Sequence, residues 1–160
     1  MPEPRTAVHV VRVLEALTVA ALGIYAGAML TEGFVLVPYW RSLPGEQFFA
    51  WYAEYDDRLF AFFGTLTVLM VALAVATAVV SILERAPGRW FSVVAASLAV
   101  AAVLMLPLYF LHANASFAAA TLQSSELPAE LLRWQRWHVV RVVLSLFALL
   151  AAVLSVRREP

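Results

Sequence analysis

Two stretches of the chain, 59–83 and 90–111, run on without a single charged residue. A helix that crosses a bilayer needs about 20 apolar residues, at a rise of about 1.5 Å each across roughly 30 Å of hydrocarbon. Both stretches meet that length. Neither alternates with period two, and backbone withdrawn from water must be helical or closed into a barrel, so both are predicted as helices. Two more apolar stretches lie near the ends. One continues past Glu15 and Glu32, and predicts a helix over about 7–37. The other, 142–156, is too short to span alone. Extended backwards through Arg141, His138, Trp137 and Trp134, it predicts a span over about 130–156, and it draws a histidine and an arginine towards hydrocarbon. With 59–83 and 90–112, the chain reads as one integral-membrane domain over 1–160.

The connections agree with four spans. Pro87 and Gly88 mark a tight link between the second and third helices. Pro38 and Pro44-Gly45 are expected to end the first helix, 114–128 reads as a polar connection, and Pro128 suits the first turn of the fourth helix. The expected class is all-α, a four-helix transmembrane bundle with both termini on the same side. Residues 1–31 lack a short apolar core with a small-residue cleavage site, so they are kept as part of the first span rather than as a signal peptide. Gly23 and Gly27, with Ala20 and Ala28, are expected to let helices approach closely. Pro107 predicts a bend in the third helix.

Composition sharpens this picture. Apolar residues make up 63% of the 160-residue chain and charged residues 14%, against about 25% charged in ordinary soluble domains. That excludes a water-soluble domain and a nucleic-acid-binding module. The net charge is zero, all 11 basic residues are arginine, and cysteine is absent, which removes disulfides, thiolate metal sites and cysteine nucleophiles. The termini side holds Arg5, Arg12, Arg85, Arg89, Arg157 and Arg158, and the other side Arg41, Arg58, Arg133, Arg136 and Arg141. The positive-inside tendency then predicts cytoplasmic termini, and the location expected is a bacterial inner membrane. Trp40, Trp51, Trp134 and Trp137 mark the opposite interface.

The residues able to do chemistry gather at that opposite end. Glu32 closes the first helix, Asp56, Asp57 and Arg58 are expected to open the second, His112 and Asn114 to close the third, and His138 and Arg141 to open the fourth. Trp134, His138, Arg141 and Ser145 fall on one helical stripe. Tyr25, Glu32 and Tyr39 are expected to share a face, as are Met105, Tyr109 and His112. Ionisable residues in spans face the bundle and find partners, and Glu32 with Arg141 is the pairing expected. The termini end is expected to hold only His9 and loop charges.

The run Leu132-Arg133-Trp134-Gln135-Arg136-Trp137-His138-Val139-Val140-Arg141 resembles the Trp-x-x-x-His-x-x-Arg signature of a family of small four-span membrane proteins that includes the anthrone oxygenases of polyketide pathways. A first helix rich in small residues that runs into Pro38, and Asn114 after the third, also fit. The resemblance implies a cofactor-independent oxidation by O₂ of an anthrone-type or phenolic small molecule. His138 would be the base, Arg141 would stabilise the enolate oxygen, and Trp134 and Asn114 would shape the pocket. A flat apolar phenol would enter from the bilayer. Glu32 joins His138 and Arg141 as a catalytic candidate, with His112 and Tyr109 as further substrate contacts.

Two other functions stay open. Glu32, His112 and His138 offer imidazole and carboxylate ligands suited to a transition metal (Fe, Cu, Mn or Zn), which would make a metal-dependent oxidoreductase. A non-enzymatic subunit that binds a lipid or small molecule is the other. The partners expected are the lipid bilayer and an apolar small molecule, with no nucleic acid, and a homo-oligomer is compatible with the sequence.

Overall fold

The computed structural model describes residues 4–156, with side chains from Val8 onward. Arg157 and Arg158, counted above for orientation, lie outside the described residues, as does the side chain of Arg5. Four long helices follow one another, with no strand among the described residues. Helix α1 is α-helical over Pro4–Thr31, passes through a π turn at Glu32–Leu36 and ends with Val37–Ser42. Helix α2 is Gly45–Leu83. Helix α3 is Arg89–Met105, a second π turn at Leu106–Phe110, and Leu111–Ala118. Helix α4 is Leu127–Val156. Each is long and apolar enough to span a bilayer. The chain is an integral membrane protein built as an all-α four-helix bundle.

Several boundaries differ from those read in the sequence, for one reason. An uncharged run marks the hydrocarbon-embedded part of a helix, not its length. Helix α2 starts at Gly45 rather than near 59, because Phe48, Phe49 and Tyr52 form a buried face before the uncharged run begins. Asp56, Asp57 and Arg58 therefore lie well inside α2 and do not cap it. Pro38 sits within α1 instead of ending it, and Asn114 belongs to α3 rather than to a connection.

The bundle has two cores of different character. Towards the termini, Leu22, Met29, Met70, Ala74, Ala95, Ala99, Ala148 and Ala152 pack together. Alanine at these crossings lets helix backbones approach closely where lipid gives no hydrophobic drive. Gly23 and Gly27 take no part in this. A methyl group at either would meet nothing within 4 Å, so the Gly-x-x-x-Gly face does not close the bundle. At the other end the core is aromatic: Trp40, Phe48, Tyr52, Phe110, Phe117 and Trp134 meet largely edge to face, with Trp40 and Trp134 at 5.4 Å and 83°. Such pairs add about 0.5–1.5 kcal/mol each beyond area burial.

Two glycines are required by packing. A Cβ on Gly45 would stand 2.7 Å from that of Ser124, and one on Gly88 would collide with the backbone of Ser155. Gly88 thus seats the α2–α3 link against the end of α4. The termini end is also more polar than the sequence suggested. Glu15, Thr18, Thr77, Ser92 and Ser155 are buried together there, with Thr18 and Thr77 hydroxyls 2.7 Å apart. These residues are scattered one or two to a helix, so no local run revealed them.

Candidate functional site

Helix α4 is regular, so its stripe is as the spacing predicts. Trp134, His138, Arg141 and Ser145 are all buried. Each of the first three is fixed from a different place. The Trp134 indole N–H donates to Asn114 Oδ1 on α3 at 2.9 Å. The His138 ring stacks on Trp134 at 5.0 Å between centroids, and its Nε2 lies 2.9 Å from the Met29 carbonyl of α1. Arg141 Nη2 donates to Glu32 Oε2 at 2.8 Å and contacts His138 Nδ1 at 2.9 Å. The expected Glu32–Arg141 pair is formed, with both residues 5% exposed.

The chemistry of these partners sets the state of the histidine. A guanidinium only donates and a carbonyl only accepts. Nδ1 of His138 must therefore accept from Arg141, and Nε2 must carry the proton that goes to Met29. Both ring nitrogens are committed, and the side chain is 1% exposed. This arrangement positions Arg141; it leaves no lone pair for a substrate proton.

The π turns set the rest of the geometry. In α1 the Val37 N–H reaches back five residues to the Glu32 carbonyl, and in α3 Leu111 does the same to Leu106. Each inserts one extra residue per turn and rotates everything beyond it. In α1 the buried positions pass from Met29 and Glu32 to Val37 and Trp40, which leaves Tyr39 exposed. In α3 they pass from Met105 to Phe110 and Ala113. Phe110 thereby places its ring 4.1 Å from the Arg141 guanidinium carbon, in cation–π contact; its neighbours gave no sign of that role in the sequence.

Two expected site residues are displaced by the same rotation. His112 is exposed and stands outside the cluster. Tyr109 faces α4 from outside, stacked on Trp137 at 5.2 Å and donating to Glu130 Oε1 at 2.7 Å. Neither lines the cavity described below. The set Glu32, His112 and His138 does not converge, and no group of three His, Asp or Glu side chains able to share a metal ion occurs among the described residues.

What does converge is a cavity of about 180 Å³ between α2, α3 and the buried ion pair. Its walls include Glu32, Asp56, Asn114, Trp134 and Arg141, brought together as anticipated, while Asp57 is exposed. Beside Leu106, Leu111 and Ala115 of α3, the residues missed are on α2, among them Tyr52, Phe63, Gly64 and Thr67. With Asp56 and Phe60 they recur at helical spacing, a stripe that the eye passes over in an apolar run. Arg141 is not saturated here: both its hydrogen bonds use Nη2, and Nε has no partner among the described residues. Compared with protein-family models, curated proteins and solved structures, the chain finds no match in any of the three.

Proposed function

We propose that the protein is a membrane oxygenase of the anthrone-oxygenase kind, acting on an apolar phenolic or anthrone-type molecule in the cavity beside Glu32 and Arg141. The observation that carries this reading is a buried carboxylate–guanidinium pair in the wall of a largely apolar cavity. Taking a proton from the CH₂ that is conjugated with the carbonyl through the flanking rings makes an extended enolate, which needs a base for the carbon and a cation for the oxygen. Glu32 supplies the first and Arg141 the second. When Glu32 accepts the proton, Arg141 loses its anionic partner just as the enolate gains a negative charge. The cation passes from one anion to the other, and no unpaired charge is left buried, which would be strongly unfavourable.

The remaining steps belong to the substrate. The enolate reduces O₂, a carbon–oxygen bond forms as a hydroperoxide, and loss of water leaves a carbonyl. One CH₂ and one O₂ give one C=O and one H₂O. His138, first expected as the base, acts in this scheme as a positioning residue that holds Arg141 towards the cavity. Asn114 and Trp134 fix one wall. The arginine distribution supports cytoplasmic termini, with the cavity near the opposite face, and the membrane proposed is a bacterial inner membrane.

The test is oxygen uptake by the purified protein in detergent with anthrone as substrate. Turnover is expected in the wild type, with a fall of about 10²-fold or more in Glu32→Gln and Arg141→Gln. Turnover unchanged in both variants would remove the assigned roles. Ligand binding with no oxygen uptake would favour the binding-subunit reading instead.

A further inference from the structure

We infer that the ligand of this cavity is a single-ring phenol or quinol head on a long apolar tail, and that Gly64 sets the size of the head. The inference rests on the cavity assigned above and narrows what it accepts. The cavity is about 180 Å³, while an apolar protein cavity of about 150 Å³ holds one benzene ring. One substituted ring fits wholly inside; a three-ring molecule fills the inner part with one ring and leaves the others in the mouth.

The walls show where the rest of such a molecule goes. Glu32, Tyr52, Thr67, Trp134 and Arg141 are buried. Phe60 and Leu111, on α2 and α3, are 67% and 47% exposed. The cavity therefore opens sideways between α2 and α3, through an apolar rim. Phe60 lies just inside the uncharged 59–83 run, so that rim meets hydrocarbon at the edge of the headgroup layer. Asp56, one turn before it, lies on the more polar side. A ring oxygen directed to Arg141 and a chain leaving past Phe60 and Leu111 match this order of surfaces.

Gly64 is on the cavity wall within a long helix. Glycine there costs about 0.5–1 kcal/mol of helix stability relative to alanine. No packing neighbour requires it, because a methyl group at this position meets nothing within 4 Å. A larger side chain would enter the cavity and leave the helix contacts intact.

Binding is read as the ligand-induced rise in unfolding temperature of the detergent-solubilised protein. Three probes are compared: a monocyclic quinol with a ten-carbon chain, the same quinol without the chain, and anthrone. The tailed quinol is expected to bind about tenfold or more tighter than the other two, and Gly64→Leu is expected to abolish its effect. Gly64→Ala, should the leucine variant not fold, is expected to unfold at higher temperature without ligand and to bind the tailed quinol more weakly. Equal or tighter binding of anthrone would overturn the inference, as would undiminished binding by the folded Gly64 variants. Tailed-quinol binding together with no oxygen uptake on anthrone would overturn the oxygenase reading and leave this one standing; anthrone turnover without preference for the tail would do the reverse.

Discussion

Glu32 and Arg141 show how much one contact depends on both its members. Each is taken out of water, and their 2.8 Å hydrogen bond offsets that loss only while both are present. Removing one leaves a buried charge without its partner, which costs about 3–5 kcal/mol, whereas replacing both with apolar residues is often neutral. Arg141→Met is therefore expected to lower the unfolding temperature sharply, and the double variant Glu32→Leu/Arg141→Met to recover most of it. Additive losses in thermal unfolding would show that the two side chains are not coupled. His112 makes the opposite case. Exposed and outside the cavity, it should accept alanine with a change within about 0.5 kcal/mol and with oxygen uptake unaltered. A large loss on His112→Ala would return it to the site.

At the level of elements, regularity decides what can be read in advance. Helix α4 keeps one period throughout, so the stripe Trp134, His138, Arg141 and Ser145 was legible from spacing, and with it the Glu32–Arg141 pairing. Helices α1 and α3 break period at their π turns. The added residue shifts the phase by about 100°, enough to carry Tyr39, Tyr109 and His112 off the face they would otherwise share with Glu32 or Met105. Pro107 hinted at an irregularity but not at its kind. Helix ends tell a similar story. Helices α2 and α3 both finish with a residue at positive φ, Arg85 and Ala120. In each the next residue's N–H reaches back to close the end, Ala86 to Ser81 and Thr121 to Ser116. This is the closure glycine usually provides; the end of α2 at Leu83 was legible from the charge that follows it, whereas the end of α3 at Ala118, beyond the expected 112, was not. Ala120→Gly is expected to stabilise the protein by a few tenths to about 1 kcal/mol. A lowered unfolding temperature would contradict the strain argument.

For the molecule as a whole, the two cores divide the work. The alanine-rich core brings four backbones together within the hydrocarbon, and the aromatic core widens the other end enough to leave room beside α2. The fold class was plain from apolar run length alone. The wider end was not, because charged and aromatic residues mix there and only the buried face, Phe48, Tyr52 and Phe117, is continuous. That end also reaches beyond what the hydrocarbon thickness accounts for. Helix α2 has 39 residues and is about 58 Å long, nearly twice the roughly 30 Å of hydrocarbon, and its uncharged part begins only at Leu59. Glu54, exposed on the projecting segment, should accept cysteine without disturbing the fold. In a chain with no native thiol, that single cysteine turns helix overhang into a compass. An impermeant maleimide that labels Glu54→Cys in intact cells places the cavity mouth outside; labelling only after lysis would invert the whole bundle.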